Sequence, residues 1–139
     1  MDMTFLTFLA RWQPQVLAAL RIVAALLFLE HGTSKVLGWP FVEGMSSLPP
    51  FTLFWIAGVI EIVGSLLLLV GWQTRIVAFL LSGEMAIAYF MEHMPFDFFP
   101  IRNQGDAPIL FCFVFLYIAA AGPGALSLDG ALRRDTARS

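Results

Sequence analysis

Ionisable side chains interrupt three long apolar segments of this 139-residue chain. Arg21 lies within the first segment, Glu61 within the second and Glu84 within the third. A charged side chain at the centre of a bilayer costs at least about 2.5–3.5 kcal/mol, so such residues pair with one another or mark a functional path. We therefore expect a buried charge cluster in which Arg21 is held between the two glutamates. The alternative interpretation is that this cluster only fixes the register of the helices.

A second polar layer stands where the apolar segments end. His31 and Lys35 are four residues apart, which places them on the same face of a helix. We expect them to form a ligand-binding site near the outer side of a membrane. The other members of this site would come from the end of the third segment and the last loop: Glu92, His93, Arg102, Asn103 and Asp106.

These residue types suit charge stabilisation and proton exchange. Lys35 and Arg102 offer positive charge to an anion or to a quinone oxygen, and His31 can exchange a proton near neutral pH. Glu61 and Glu84 would continue the polar path inward as a proton relay. The catalytic candidates are accordingly His31, Glu61 and Glu84. The alternative for His31 alone is an interfacial side chain whose ring bonds a backbone carbonyl.

The scarcity of cysteine and histidine limits the metal chemistry that the chain can support. Cys112 is the only cysteine, which excludes an internal disulfide and a thiolate metal cluster. A haem held by His31 and His93, or a His/Glu metal site, is conceivable, but neither has recognisable ligand spacing. We therefore predict no metal and no haem.

The composition is that of a membrane protein. Hydrophobic residues make up 59% of the chain and charged residues only 13%, whereas a soluble domain averages about 25% charged residues. The net charge of −2 and the lack of a basic run argue against a nucleic-acid partner. The lipid bilayer is the partner that this composition requires.

Four apolar stretches define the predicted architecture. They cover residues 14–36, 51–70, 75–93 and 108–121. The first three approach or exceed the roughly 20 residues that a membrane-spanning helix needs, and the fourth is short. No small-residue cleavage site follows the first stretch, which favours a span over a signal peptide. We predict a single domain over residues 1–139 with an all-α fold, an integral membrane four-helix bundle.

The basic residues predict the orientation of the bundle. With four spans, both termini and the turn at residues 71–74 lie on one side, where most of the arginines collect: Arg11, Arg75, Arg133, Arg134 and Arg138. The opposite side keeps only Lys35 and Arg102. Because cytoplasmic loops carry an excess of Lys and Arg, we expect both termini in the cytoplasm.

Three stretches of the chain resemble a known family. "RIVAALLFLEHGTSKVLG", "GVIEIVGSLLLLVGWQTRIVAFLLSGEMAIAY" and "NQGDAPILFCFVFLYIAAAGPGALSLDG" look like the successive signatures of the DoxX family. Asp106 stands where this family usually has a glutamate. The resemblance implies a small four-helix protein of the bacterial inner membrane. Members of the family are linked to quinone-dependent oxidation of reduced sulfur compounds and to membrane-bound oxidative-stress complexes.

The resemblance and the polar residues together favour a quinone-linked redox or oxidative-stress subunit. In that role the chain would bind quinone while a soluble or membrane partner performs the oxidation. Any enzymatic activity would be that of a subunit of a quinone-dependent oxidoreductase. One alternative is a carrier of protons or a small solute, for which four short helices would need to form a homo-oligomer. The other is a non-catalytic scaffold that recruits redox enzymes.

Overall fold

The computed structural model describes residues 3–137, whose regular structure is entirely helical. This part of the chain contains seven α-helices: α1 Met3–Arg11, α2 Gln13–Leu37, α3 Leu53–Val70, α4 Thr74–Ala88, α5 Pro100–Asn103, α6 Asp106–Ala121 and α7 Leu128–Thr136. A π-helical turn, Tyr89–His93, continues α4. The predicted all-α fold is confirmed. Arg138, which contributed to the predicted orientation, lies outside the described residues.

Three of the helices are long and apolar enough to cross a membrane. These are α2, α3, and α4 together with its π-helical turn. The fourth apolar helix, α6, has 16 residues and is shorter than a full span. All four begin and end within two residues of the bounds predicted from the sequence. The helices α1 and α7 were not predicted, because each is short and amphipathic rather than continuously apolar.

The bundle is built from two tightly packed helix pairs. α2 packs most extensively on α3 and α4 on α6, while α3 and α4 join the pairs. Large apolar side chains such as Phe28, Leu81 and Phe115 fill the interior. Gly64 lies against Leu81 between α3 and α4, as expected of a small residue at a helix interface in lipid.

Arg21 is fully buried, but it does not lie between Glu61 and Glu84, so the predicted position of this side chain is wrong. Among the described residues, its guanidinium donates hydrogen bonds only to backbone carbonyl oxygens: those of Leu68, Leu69, Pro123, Ala125 and Leu126. The last carbonyls of a helix have no partner within the helix, and arginine has five N–H donors. Arg21 therefore caps the end of α3 and anchors the segment that follows α6.

Two further side chains cap helix ends at the same side of the bundle. Arg75 donates to the last carbonyls of α6: those of Ala119, Ala120 and Ala121. Asp129, in α7, accepts hydrogen bonds of 2.9 Å from the backbone N–H groups of Gln73 and Thr74 at the start of α4. The chain after α6 is thus tied to the bundle through α7.

Candidate functional site

α2 and α3 cross through direct contact between two glycines. A Cβ atom on Gly32 would lie 2.7 Å from the carbonyl oxygen of Gly58, and one on Gly58 would lie 2.8 Å from the Cβ of Lys35. Neither glycine could therefore carry a side chain without displacing the other helix. The contact brings the C-terminal half of α2 against α3 and places Lys35 next to the face that bears Glu61.

Lys35 and Glu61 form a buried ion pair across this crossing. The Nζ of Lys35 donates to the Oε1 of Glu61 at 2.5 Å, and the two side chains are 14% and 1% exposed. The second carboxyl oxygen of Glu61 is also buried, and it has no hydrogen-bonding partner in the described part of the chain. Glu61 follows the first residue of α3 by eight residues, or roughly 12 Å of helical rise.

Glu84 brings a second carboxyl group to the same region from α4. Both of its carboxyl oxygens are buried, and neither finds a hydrogen-bonding partner within residues 3–137. Its charge interacts with those of Glu61 and Lys35. Because the bundle buries these oxygens without bonding them, Glu84 is the side chain here with the most unused hydrogen-bonding capacity.

His31 stands one helical turn before Lys35 on α2. Its Nδ1 lies 3.0 Å from the carbonyl oxygen of Leu27 and must donate, since a carbonyl can only accept. The ring meets Phe111 of α6 edge to face, with centroids 5.8 Å apart. This is the backbone-bonded histidine of the alternative interpretation. A protonated His31 ring would attract the carboxylate of Glu61, and on this ground we include it in the same group.

Together, His31, Lys35, Glu61 and Glu84 form what we call the buried polar cluster. The sequence predicted that Lys35 would open outward and that Arg21 would bind the glutamates. In the structure Lys35 turns inward to Glu61, and Arg21 instead binds backbone carbonyl oxygens at the end of α3. The physical reason is the glycine crossing, which brings α2 close enough to α3 for the flexible stem of Lys35 to turn inward. A buried carboxylate needs a partner, and Lys35 provides it.

The other members of the predicted outer site form a separate loop network. The Nδ1 of His93 donates to the carbonyl oxygen of Asn103 at 2.8 Å, and the side-chain amide of Asn103 donates to the carbonyl oxygen of Asp97 at 2.7 Å. Arg102 pairs with Asp97 at 2.9 Å, although its side chain is 67% exposed. These bonds shape the loop between α4 and α6.

The predicted outer ligand site is therefore wrong as a single set of residues. His31 and Lys35 belong to the buried polar cluster, whereas His93, Arg102 and Asn103 belong to the loop network. Glu92 and Asp106 are exposed side chains at helix ends. A shared position at the end of a span indicates depth, but not the direction in which a side chain points.

Sequence reasoning did not assign three residues to the cluster or to the loop network. Gly58 allows the helix crossing, Asp97 organises the loop between α4 and α6, and Ser65 buries a hydroxyl one turn after Glu61 without a bonding partner among the described residues. A spacing signal did exist for the first of them. Gly58 precedes Glu61 by three residues, as Gly32 precedes Lys35, so each glycine shares a helix face with its charged residue.

Across residues 3–137, no group of three or more His, Cys, Asp or Glu side chains could hold a metal ion. The unused oxygens of Glu61 and Glu84 instead suit hydrogen-bonding groups and protons. The buried polar cluster can thus hold, release or donate protons within an apolar bundle.

Comparison with known proteins places this cluster inside a family signature. A family model described as DoxX matches residues 16–94, a range that contains all four residues of the cluster. A protein of Haemophilus influenzae described as "Uncharacterized protein" is 46% identical over 125 residues, covering 87% of this chain and 93% of that protein. No solved structure gives a significant match.

Proposed function

The chain belongs to the DoxX family of membrane proteins, and from this premise we propose that it is a quinone-linked redox subunit whose buried polar cluster exchanges protons with the quinone. The observation that carries the proposal is Glu84, whose two carboxyl oxygens are buried beside the Lys35–Glu61 pair without a bonding partner in the described chain. An ionisable residue placed inside a membrane bundle is by default a functional candidate.

The residues of the cluster fit the chemistry of a quinone head group. Quinone reduction to quinol takes up two electrons and two protons at the two carbonyl oxygens. The chain offers such oxygens three donors: the Lys35 ammonium, the Nε2–H of His31 when the ring is protonated, and the carboxyl group of Glu84 when it is protonated. The edge-to-face contact of His31 with Phe111 supplies an apolar ring beside these donors.

Charge balance gives the cluster a proton to exchange. Glu61 and Glu84 are two acids, and Lys35 is the one base bonded to either of them in the described structure. In a low-dielectric bundle, two carboxylates facing one ammonium favour the uptake of a proton. Lys35 fixes Glu61 as the carboxylate partner, so Glu84 is the group free to give and take that proton. His31 would relay it toward the outer side, because its charge also interacts with that of Glu61.

The electrons would come from a partner protein. In the proposed complex the partner oxidises a reduced sulfur compound or a similar reductant and passes two electrons to the quinone. This chain binds and orients the head group and supplies protons. We place the complex in the bacterial inner membrane, with the C-terminal end of α3 and the N-terminal end of α4 toward the cytoplasm. The exposed Arg133 and Arg134 of α7 support this orientation, because Asp129 ties α7 to that side.

Quinone binding by the purified protein tests the proposal directly. The protein is placed in lipid nanodiscs and titrated with a short-chain benzoquinone, and bound quinone is measured after separation from free quinone. Glu84→Leu removes the carboxyl group, and with it both the hydrogen bond and the exchangeable proton, so we expect it to weaken binding about five- to tenfold, the value of one good buried hydrogen bond. Glu92→Leu is the matched control, since it changes an exposed glutamate eight residues further along the same helical segment.

Two results would reject the quinone assignment. One is the absence of saturable benzoquinone binding to the wild-type protein, and the other is equal binding by the Glu84 and Glu92 variants. A proton carrier is the second candidate, because Glu61 and Glu84 both lie well inside their spans. That candidate requires proton flux in vesicles that depends on Glu84 but not on quinone. If every variant of the buried polar cluster kept the quinone binding and proton flux of the wild type, the scaffold alternative would remain.

A further inference from the structure

An open groove runs between α4 and α6 at the end of the bundle where Arg75 caps α6. It has a volume of about 450 Å³, and its walls are apolar apart from Arg75: Ile76, Phe79, Leu80, Leu116, Ala119 and Ala120. Phe79 and Leu80 are each 63% exposed, so the groove faces the surroundings of the bundle rather than its interior. In a membrane these surroundings are acyl chains.

The guanidinium at the end of the groove keeps hydrogen-bonding capacity. Arg75 uses Nη1 for the carbonyl oxygens of Ala119 and Ala120, and Nη2 for that of Ala121. Among the described residues, Nε–H and the second N–H of Nη2 have no acceptor, and these two donors form one edge of the planar group. A fixed pair of parallel donors matches the oxygens of a phosphate.

Gly122 faces the flat side of the Arg75 guanidinium rather than this edge. A Cβ atom there would lie 3.0 Å from Nη2, 3.3 Å from Cζ and 3.5 Å from Nε, which places it above the plane of the group. Gly122 also has a φ of +98°, a conformation that other residues rarely adopt. Glycine at this position therefore leaves the face of the guanidinium without a side chain against it.

We propose that this groove binds an anionic phospholipid, with its phosphate on Arg75 and the start of one acyl chain along Phe79 and Leu80. The apolar walls favour a lipid over a soluble phosphate, because they can contact the acyl chain of a lipid whose phosphate binds Arg75. Basic pockets between transmembrane helices on the cytoplasmic side bind anionic head groups elsewhere. This site is independent of the buried polar cluster and of the proposed redox role.

Lipid retention by the detergent-purified protein tests the site. The protein is incubated with phosphatidylglycerol or with phosphatidylcholine of the same acyl chains, and bound lipid is counted by native mass spectrometry. We expect the wild type to retain phosphatidylglycerol about fivefold better, the effect of roughly one basic residue at an anionic membrane surface. Inorganic phosphate at the same concentration should not displace the lipid.

Two variants separate lipid binding from folding. Arg75→Gln removes the phosphate donors but also the cap of α6, so its loss of lipid could follow from a damaged helix end. Ala120→Phe fills the groove and keeps every backbone carbonyl that Arg75 bonds, because it changes only an exposed side chain. We expect Ala120→Phe to melt like the wild type and to lose the preference for phosphatidylglycerol.

The matched control is Ala107→Phe, which adds the same bulk to an exposed position at the opposite end of α6. It should keep the wild-type preference. Equal retention of the two lipids by the wild type would overturn the proposal. An unchanged preference in folded Ala120→Phe would overturn it as well, because the groove would then not be the binding site.

Discussion

Gly32 and Gly58 touch where α2 crosses α3, and this contact sets the approach of Lys35 to Glu61. The two glycines and the two charged residues follow the same three-residue spacing on their helices. The Cβ of Lys35 lies only 2.8 Å from the position that a Cβ atom on Gly58 would occupy. The ion pair is therefore a consequence of backbone packing and not only of opposite charge.

Adding one methyl group at the crossing should destabilise the protein. We expect Gly58→Ala to lower the free energy of unfolding by about 1–3 kcal/mol, because overpacking forces the helices apart. Gly83→Ala is the matched control, since a Cβ there meets nothing within 4 Å in the described structure. The control should be neutral or stabilising by up to about 1 kcal/mol. Thermal melting in one detergent compares the two, and equal effects would contradict close packing at Gly58.

Lys35 and Glu61 should show strong coupling in a double-mutant cycle. Lys35→Met leaves a buried carboxylate unpaired, and we expect a loss of about 3–5 kcal/mol in unfolding free energy. Adding Glu61→Leu removes that carboxylate and should recover most of the loss. The exposed pair of Arg102 and Asp97 gives a contrast, because Arg102→Gln should cost less than about 1 kcal/mol. Additive losses at Lys35 and Glu61 would mean that the two side chains do not interact.

Arg21 should show the opposite behaviour toward the same glutamate. Arg21→Met leaves several buried carbonyls without a donor, and we expect a loss of about 3 kcal/mol or more. Because Arg21 bonds only carbonyl oxygens in the part of the chain that the structure describes, combining this change with Glu61→Gln should give additive losses within about 0.5 kcal/mol. Recovery of stability in the double variant would restore the charge cluster that the sequence suggested.

Asp129 should stabilise the protein through the start of α4. Asp129→Ala removes both acceptors for Gln73 and Thr74, and the loss of a helix cap costs about 1 kcal/mol. Burial raises the pKa of Asp129, but the hydrogen bonds from Thr74 and Gln73 outweigh it, so the pKa lies below its ordinary value of 3.8.

The sign of that shift defines a pH test. A carboxyl group with a lowered pKa in the folded state stabilises it above its ordinary value and loses this effect as the pH falls through the folded value. The difference in melting temperature between the wild type and Asp129→Ala should therefore be constant from about pH 5 to 8 and shrink below about pH 4. A difference that grows on acidification would contradict the capping role.

The helices were predictable because their signal is continuous. Long apolar runs bounded by glycine and proline mark α2, α3, α4 and α6 whatever their neighbours are. The site was only partly predictable. The buried acids Glu61 and Glu84 stand out as charges in apolar runs, whereas their partner depends on which way a long side chain turns.

The error at Arg21 has the same origin. Helical rise gives the depth of its Cα atom, but the guanidinium reaches carbonyl oxygens at the end of α3. Backbone carbonyls are acceptors that no residue type reveals, so the sequence offered only the two glutamates as visible partners. Lys35 was placed in the outer site because it stands near the end of the first apolar segment, four residues after His31.

The bonds of Arg21 also impose an order of events on biogenesis. Its acceptor at Pro123 lies 102 residues further along the chain, so a ribosome adding about 5–20 residues per second needs roughly 5–20 s to deliver it. Until then the guanidinium of Arg21 in the first span lacks some of its hydrogen-bond acceptors. During this time the guanidinium of Arg21 needs other hydrogen-bond acceptors, such as water, lipid phosphate or groups of the insertion machinery. A chain that stalls before residue 123 leaves this cation without its acceptor at Pro123 and open to recognition by membrane quality control.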